Sequence, residues 1–308
     1  MQNKHTIDEL IQKQSLPLHA KVTLTKQRIR EWYEHWDGNV YVSFSGGKDS
    51  SVLLHIVRSL YPNVPAVFCD TGLEFPEVRS HALSTANVTV LKPEMNFREI
   101  IEKYGWVYPG KDVALTIYYA KRGSEWAIQR LNGINKDGTP SEFKKSRYVK
   151  WRHLLDAPFE VSHKCCTYMK ERPLDKYQKE TGSYPIVGIM ASESHRRKMA
   201  WLRTGCNSYG SKQPKCKPLS FWTEQDVLRY ILDNDLKIPA VYGDIIEKNG
   251  KLQTTGAKRT GCMYCLIACH LEHPNKFQRM KETHPTIYKY CMEQLGMEEI
   301  LNYLGVAH

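Results

Sequence analysis

The sequence predicts an α/β protein with a doubly wound, mainly parallel sheet and a small helical, cysteine-bearing C-terminal lobe. Short apolar runs alternate with segments of helical spacing, and a glycine-rich turn joins the first run to a helix. The hydrophobic fraction of 41% and the charged fraction of 25% are those of an ordinary globular protein. A chain of 308 residues is long enough for one large domain with an appended lobe, or for two modest domains.

The N-terminal part of the chain begins with helices and continues into a strand-helix-strand unit. Residues Thr6 to about Trp36 have helical apolar spacing, which predicts two helices outside the sheet, and Asp37-Gly38 predicts the turn that ends them. The run Val40 to Phe44 predicts a buried strand. The helix Ser51 to Leu60 and a second strand, Ala66 to Cys69, complete a βαβ unit.

Two further strands are predicted at Val88 to Leu91 and at Pro185 to Gly188, as a parallel sheet with alternating helices requires. Between Trp106 and Glu160 the periodicity is poor, which predicts an insertion or lid rather than sheet. Thr223, followed by acidic residues, predicts the N-cap of a later helix. The predicted organisation is N-terminal helices at 1–37, an α/β domain at 38–220 with a basic insertion at about 104–160, and a helical lobe at 221–308.

The composition also predicts the compartment. The sequence has no run of about 18 apolar residues, and its N-terminus lacks the apolar core of a signal peptide, so we expect a cytoplasmic protein without a membrane partner. In a reducing compartment, the nine cysteines are expected to be ligands, nucleophiles or small buried residues rather than a disulfide framework.

The net charge of +11 predicts an anionic partner, which could be a nucleotide, a nucleic acid or a small oxyanion. From Lys103 to Arg152 there are eleven Lys and Arg residues against four Asp and Glu, an excess of seven, together with nine aromatic residues. This stretch could supply phosphate contacts and stacking faces for a nucleic acid. A basic lid over a nucleotide explains the same composition.

A candidate phosphate loop follows the first predicted strand and precedes a helix, with the sequence Ser45-Gly46-Gly47-Lys48-Asp49-Ser50-Ser51. Glycines let the backbone approach phosphate, and the helix N-terminus, the serine hydroxyls and the Lys48 ammonium would hold pyrophosphate. The loop has neither the GxxxxGK[ST] pattern of a Walker loop nor the GxGxxG pattern of a dinucleotide fold.

The loop resembles the SGGxDS signature of the PP-loop ATP pyrophosphatase superfamily. Three more segments are similar to the phosphoadenosine phosphosulfate (PAPS) reductase family in type and order: residues 69–77, 188–197 and 217–227. Together the motifs cover about residues 40 to 270. The resemblance implies an adenine nucleotide, ATP with Mg²⁺, as the ligand.

The predicted site combines the loop with the carboxyl ends of neighbouring strands. Asp70 could bind Mg²⁺ or the ribose, and Arg197 is similar in position to the family's oxyanion arginine. Arg196 and Lys198 are further candidates for neutralising oxyanions. We assign catalytic roles to Lys48, Asp49 and Arg197. The predicted nucleotide-binding residues are Ser43, Ser45, Gly46, Gly47, Lys48, Asp49, Ser50, Ser51, Asp70, Thr71, Gly72, Gly188, Glu193 and Arg197.

Four cysteines form two close pairs, Cys165-Cys166 and Cys262 with Cys265, which predicts a shared metal site. Four thiolates suit iron-sulfur or zinc. Adjacent cysteines are awkward on one tetrahedral zinc, and the arrangement resembles that of the bacterial adenylylsulfate reductases of the family, which implies a [4Fe-4S] cluster. Free buried thiols are the remaining interpretation.

Zinc remains an alternative, because Cys269, His270 and His273 follow Cys265 closely and could complete a local site; His163 is another candidate ligand. Three cations near the pairs in sequence are expected to lower the thiol pKa values and to compensate the charge of a cluster. They are Lys164, Lys258 and Arg259.

Reductases of the family attack the sulfate sulfur with a cysteine in a C-terminal Glu-Cys-Gly-Leu-His motif, whereas this chain ends in Gly305-Val306-Ala307-His308. Cys291 is the cysteine near the tail, and its helical surroundings predict a structural thiol. The intact loop instead favours ATP as the substrate. The combination resembles the ATP pyrophosphatases of DNA phosphorothioation and the cluster-dependent tRNA thiolation enzymes.

Three hypotheses follow. The first is cleavage of ATP at the α-phosphate with pyrophosphate release, adenylylating an acceptor for sulfur transfer, with nucleic acid as a candidate acceptor and a separate sulfur donor. The second is an iron-sulfur sulfonucleotide reductase that uses a thioredoxin-like reductant. The third is a nucleic-acid-binding module stapled by zinc. A homodimer is left open.

Overall fold

The computed structural model describes residues 4–141 and 148–308. The chain forms two compact units, Met1–Lys92 with Pro173–Thr260 and Pro93–Arg172 with Gly261–His308. The domain boundaries proposed from the sequence stay a prediction. Among the described residues, no helix combines the length and the apolar character that a membrane span requires.

The first unit contains a six-stranded sheet with the order β3-β2-β1-β4-β6-β5. Its strands are β1 (Val40–Phe44), β2 (Ala66–Cys69), β3 (Val88–Leu91), β4 (Tyr184–Val187), β5 (Asn207–Ser208) and β6 (Lys215–Cys216). All neighbours run parallel except β5 and β6, so the predicted mainly parallel sheet is confirmed. The fourth strand lies one residue earlier than predicted, and Gly188 follows it.

Helices account for most of the remaining described structure. In chain order they are α1 (Ile7–Gln14), α2 (Leu18–His35), α3 (Lys48–Leu60), α4 (Pro76–Ser84), α5 (Phe97–Tyr104), α6 (Lys111–Ala120), α7 (Glu125–Asn132), α8 (Lys164–Cys166), α9 (Arg172–Thr181), α10 (His195–Thr204), α11 (Glu224–Asp233), α12 (Lys276–Thr283), α13 (Pro285–Lys289) and α14 (Met297–Tyr303). A 3₁₀ segment spans Val149–Leu155, and π turns span Thr167–Glu171 and Tyr290–Gln294.

The core of the first unit lies on the central strand β1. Val42 is fully buried between β2 and β4, and α3 packs Ile56 onto the sheet. The two predicted N-terminal helices are confirmed, and α2 buries Ile29 and Trp32 in the same core. Because β1 is covered by apolar side chains, its carboxyl end is a rigid base for the loop that follows it.

The helix α3 begins at Lys48, not at Ser51 as predicted. Gly47 is its N-cap in an extended conformation, so Lys48, Asp49 and Ser50 form its first turn. The prediction was wrong because it treated the polar residues of the phosphate loop as loop, although polar residues are common in a first helical turn.

The segment after Ser220 is less helical than predicted. Thr223 is the expected N-cap of α11, in a capping box with Asp226. The strands β7 (Ile245–Lys248) and β8 (Lys251–Thr254) then form an antiparallel hairpin around Asn249-Gly250, both with positive φ, as a tight hairpin turn requires. This hairpin belongs to the first unit.

An ion pair ties α2 to α11. The Lys21 Nζ lies 2.8 and 2.7 Å from the two carboxylate oxygens of Asp226, and these side chains are 3% and 12% exposed. The Thr223 hydroxyl donates to the same carboxylate at 2.8 Å. Lys21 therefore neutralises a carboxylate that also caps a helix.

We expect Lys21→Met to lower the free energy of unfolding by about 3 to 5 kcal/mol, because it leaves the Asp226 charge nearly buried without its partner. Urea unfolding at neutral pH measures the change. Arg30→Met, which removes an exposed cation from the same helix, should change stability by less than about 0.5 kcal/mol. Equal urea midpoints for the two variants would contradict the stabilising role assigned to the ion pair between Lys21 and Asp226.

The second unit is mostly helical. Within the predicted insertion, the described residues form α6, α7 and the 3₁₀ segment, and Trp106 forms an isolated bridge with Val161. Part of the basic stretch, residues 142–147 with Phe143, Lys144, Lys145 and Arg147, lies outside the described residues. The prediction of an insertion at this place stays a prediction.

Candidate functional site

The phosphate loop joins β1 to α3 at the carboxyl end of the sheet's central strand. Its serines hold it together: the Ser45 N–H donates to the Ser50 hydroxyl oxygen at 3.2 Å, and the Ser50 hydroxyl donates to the Gly47 carbonyl at 2.9 Å. The N-cap residue of α3 is Gly47, which has no side chain to cap the helix. Its first-turn N–H groups and the positive end of its dipole are therefore suited to bind an anion.

Two glycines allow the backbone to pack this closely. Gly46 has φ +72°, and a Cβ there would lie 2.6 Å from the Val78 carbonyl oxygen of α4. Gly188 follows β4, and a Cβ on it would lie 3.3 Å from the Asp49 carbonyl oxygen. The structure thus brings Gly188 to the loop. Ser43 lies on β1 between Val67 of β2 and Val187 of β4.

Lys48 is only 2% exposed, although it carries a charge. Its ammonium lies 3.2 Å from the Lys258 carbonyl oxygen, 3.4 Å from Asp49 Oδ1 and 3.6 Å from Glu224 Oε1. Its backbone N–H donates to the Tyr242 hydroxyl at 3.2 Å, and that hydroxyl contacts Thr260 at 3.2 Å. These contacts fix the cation at the beginning of α3.

Asp49 and two arginines share one electrostatic environment. Burial lowers the pKa of Arg197, the Arg259 charge lowers it further, and Asp49 raises it. Glu193 forms ion pairs with Arg197 and, at 3.1 Å, with Arg259, and it accepts the Met190 N–H at 2.9 Å. Glu193 therefore orients two cations near the loop, which is a supporting role beside its predicted contact with nucleotide.

One oxygen of Asp49 is buried and accepts no hydrogen bond among the described residues, although the Lys48 ammonium is its ion-pair partner at 3.4 Å. A carboxylate oxygen with unused lone pairs is a ligand that Mg²⁺ prefers. The residues at the loop therefore fit a magnesium ion in donor type.

The residues that follow β2 already form contacts with other side chains of the protein. Asp70 accepts two hydrogen bonds from Arg79, at 2.9 and 2.8 Å, and this pairing lowers the Asp70 pKa although partial burial raises it. The Thr71 hydroxyl lies 2.8 Å from a Glu74 carboxylate oxygen. Gly72 has φ +71° with open space around it. The predicted contacts of Asp70, Thr71 and Gly72 with nucleotide stay a prediction.

Sequence reasoning missed the residues that surround Lys48 and the helix α3. They come from distant segments: His81, Glu224, Tyr242, Lys258 and Thr260. His81, for example, contacts the Ser51 hydroxyl at 3.1 Å across 30 positions of sequence. Only the fold reveals such pairs.

The four predicted cysteine ligands all belong to the second unit, and the charges of three of them act on the fourth, Cys165. Burial raises the pKa of Cys165, and the charges of Cys166, Cys262 and Cys265 raise it further. Burial likewise raises the pKa of Cys166, whereas the charge of Lys111 lowers it. The cations with the largest effects on these two thiols are therefore Lys111 and Lys170, not the three that the sequence suggested.

Four thiols are the donor type of both an iron-sulfur cluster and a zinc ion. Zinc needs four ligands at about 2.0 to 2.3 Å from a single point. Across residues 4–141 and 148–308, no group of three or more His, Cys, Asp or Glu side chains is arranged to hold a metal ion. A [4Fe-4S] cluster takes one thiolate on each of four irons, so its ligands do not converge on one point.

The local zinc alternative has partial support in donor type. Cys269 is fully buried and its pKa is raised to about 11 by burial, and the His270 ring packs between Tyr108 and Trp151. The Nδ1 atoms of His270 and His163 are buried and have no hydrogen-bond partner in the described parts of the chain. His273 does not complete a metal-holding group with them.

Cys291 is 0% exposed and its pKa is raised to about 12 by burial. Its sulfur lies 3.1 Å from the Met297 sulfur. A buried thiol of this kind is a poor nucleophile, because the thiolate is the reactive form.

Comparisons with known proteins identify several relatives of the chain. It is 26% identical over 298 residues to an uncharacterized protein of Methanocaldococcus jannaschii, covering 95% of this chain and 54% of that protein. The chain thus spans about half the length of that relative. It is 21% identical over 242 residues to the phosphoadenosine 5'-phosphosulfate reductase of Xylella fastidiosa, covering 79% of this chain and 83% of the enzyme.

Among solved structures, the chain is similar to the U34-tRNA thiolase of Methanococcus maripaludis with its [4Fe-4S] cluster. The likeness covers 92% of this chain and 80% of that one at 12% identity, with a TM-score of 0.38, so no argument rests on it. The sequence profile of the phosphoadenosine phosphosulfate reductase domain matches residues 39–108 and 127–266, more than half of the chain. The chain belongs to the phosphoadenosine phosphosulfate reductase domain family.

Proposed function

We propose that the chain binds ATP with Mg²⁺ at the phosphate loop and cleaves it between the α- and β-phosphates. The observation that carries the proposal is the buried Lys48 ammonium at the start of a helix whose N-cap is a glycine, beside an Asp49 oxygen with unused lone pairs. A cation, helix N–H groups and a carboxylate at one point match the needs of a triphosphate with its metal ion.

The chemistry is transfer of the adenylyl group. An acceptor oxygen attacks the α-phosphorus, the bond from that phosphorus to the bridging oxygen breaks, and pyrophosphate leaves while the acceptor proton passes to solvent. Lys48, Arg197 and Arg259 supply positive charge for the leaving pyrophosphate, and the first turn of α3 orients it. Asp49 would hold Mg²⁺, which neutralises phosphate charge when bound.

A sulfur nucleophile from a separate donor then displaces AMP at the activated centre, so that sulfur replaces oxygen in the acceptor. Cys165, Cys166, Cys262 and Cys265 would hold a [4Fe-4S] cluster, which supplies a redox or sulfur-binding centre when present. The proximity of the four thiols, and of Lys111 to Cys166, supports this ligand set.

The alternative is sulfonucleotide reduction, which needs a cysteine that attacks the sulfate sulfur. Cys291 is the thiol near the C-terminus of this sequence, and its burial and its pKa of about 12 disfavour that role. Because the chain resembles a family of reductases, sulfite release is measured as a test of this alternative. The third hypothesis, a zinc-stapled binding module, predicts ATP binding without turnover.

One experiment separates the three. Anaerobically purified protein is given ATP with Mg²⁺ and single-stranded RNA or DNA as the candidate acceptor, and pyrophosphate release and ATP binding are measured; in parallel it is given adenylylsulfate with reduced thioredoxin, and sulfite is measured. We expect pyrophosphate and no sulfite. Sulfite release that is lost in Cys291→Ser would overturn the proposal in favour of the reductase, and ATP binding without pyrophosphate release would favour the binding module.

A further inference from the structure

Aromatic rings and cations alternate on one surface of the second unit. We call this surface the aromatic-cation band and define it by three tyrosines and three cations. They are Tyr104, Tyr118, Tyr168, Lys103, Lys164 and Arg172. None of them belongs to the phosphate loop or to the four-cysteine set, although Lys164 and Tyr168 flank Cys165-Cys166 in sequence.

The three tyrosines form one stacked pair and one neighbouring ring, and all three are partly exposed. Tyr104 and Tyr168 stack with centroids 4.9 Å apart and planes 19° apart, and their hydroxyls lie 2.7 Å from each other. The hydrogen bond with Tyr168, then burial, raise the pKa of Tyr104, and the charge of Tyr118 adds a smaller effect. The Arg122 guanidinium lies 3.6 Å from the Tyr118 ring centre. All three side chains are only half-buried.

Each ring is accompanied by a cation. The Arg172 guanidinium lies 4.1 Å from the Tyr168 ring centre, the Lys103 ammonium 5.5 Å from Tyr104, and the Lys164 ammonium 5.4 Å from Tyr118. Each of the three rings therefore has a cation within cation–π distance of its centre.

Carboxylates of the described residues do not neutralise these cations. Glu171, the adjacent acid, is ion-paired with Lys111 at 3.0 Å and accepts the Thr167 hydroxyl at 3.0 Å. Within the part of the chain that the structure describes, Lys103, Lys164 and Arg172 form no ion pair with a carboxylate. Three unneutralised charges so close together favour an anionic partner.

The alternation of rings and cations indicates which class of anionic partner this surface can bind. Ring faces beside cations suit a strand whose bases are free to stack and whose phosphates follow each other along the backbone. A duplex hides its base faces. A free mononucleotide offers one base and would use only part of the band.

We propose that the aromatic-cation band binds a single-stranded polynucleotide. Phosphates draw Lys103, Lys164 and Arg172 away from the ring faces, and bases stack on the tyrosines in their place. That this strand is the acceptor of the adenylyl group rests on the proposed function; the binding itself needs no ATP.

The test is fluorescence anisotropy with the full chain and labelled oligonucleotides of about 12 nucleotides, titrated between about 50 and 200 mM salt. Three probes are compared: single-stranded RNA, single-stranded DNA of the same sequence, and the DNA duplex. We expect at least one single strand to bind about tenfold more tightly than the duplex. The single strand that binds more tightly, RNA or DNA, identifies which polynucleotide the band binds.

Two variants test the assignment to the band. Lys103→Gln with Lys164→Gln and Arg172→Gln should flatten the dependence of log K on log salt by about 2, because each phosphate contact with a single strand contributes about 0.7. Tyr104→Leu with Tyr168→Leu should weaken binding by about tenfold at constant salt. The matched control is Lys281→Gln with Tyr288→Leu, which removes another lysine, also 5.5 Å from a tyrosine ring, in the same unit. It should change affinity by less than about twofold.

An unchanged affinity and salt slope in the charge variant, or equal losses in the control, would overturn the proposal, as would equal binding of the duplex. Thermal melts check folding. If the tyrosine variant melts at a lower temperature than the parent protein, its affinity is set aside. The charge variant, which keeps the rings, then tests the assignment by itself. ATP binding measured on the same samples reports on the phosphate loop, so polynucleotide binding without ATP binding would remove the proposed function and leave the band standing.

Discussion

Lys48→Met is expected to reduce kcat/KM for pyrophosphate release by about 100- to 1,000-fold, the range for loss of one preorganised charge at a reacting centre. The ammonium is buried and held by the Lys258 carbonyl, Asp49 and Glu224, so no mobile side chain in the described site replaces it. Methionine keeps most of the apolar stem and removes only the charge. The effect is therefore expected in turnover more than in folding.

The measurement is steady-state release of pyrophosphate from ATP with Mg²⁺, with ATP affinity determined separately. Lys237→Met is the matched control, because it removes an exposed lysine from the loop after α11. Its kcat/KM should stay within about twofold of the parent. If Lys48→Met turns over ATP at the parental rate, the loop is not where pyrophosphate is released.

Cys165→Ser is expected to lower the iron content from about four atoms per chain to nearly none, because serine is a poor ligand for an iron-sulfur cluster and three thiolates remain. Cys165 is the thiol whose pKa responds to all three of the other cysteines, so it lies among them. Iron and acid-labile sulfide analysis after anaerobic purification measures the loss, together with the visible absorption spectrum.

Two cysteines of the same unit serve as controls. Cys291→Ser changes a buried thiol in contact with Met297 and should keep the iron. Cys269→Ser distinguishes the local zinc alternative, since that site needs Cys269 and the four-thiol set does not. One zinc per chain that disappears with Cys269→Ser would replace the cluster assignment.

The sequence was most informative where local pattern determines structure. Val40 to Phe44 and Ala66 to Cys69 are mostly apolar runs, and both form parallel strands with the predicted bounds. Thr223 has the hydroxyl and the acidic residue three positions later that an N-terminal cap requires, and the cap is present.

Short elements and long-range contacts were not predictable in the same way. The strands β5 and β6 are two residues each, too short for a periodicity to register. The hairpin β7-β8 carried a usable signal in Asn249-Gly250 that the sequence analysis did not apply. Tyr242, which contacts Lys48 from 194 positions away, had none, because such a contact exists only after the sheet and its connections are formed.

The strand order has a consequence for how this protein is made. β1 lies between β2 and β4, yet β4 begins at Tyr184, long after β1 ends at Phe44. On a ribosome, β1, α3 and β2 can pair as soon as they emerge, but one edge of β1, with its apolar side chains, stays unpaired until β4 arrives. A fragment that stops before Tyr184 would expose this edge, and aggregation is the outcome we expect for it.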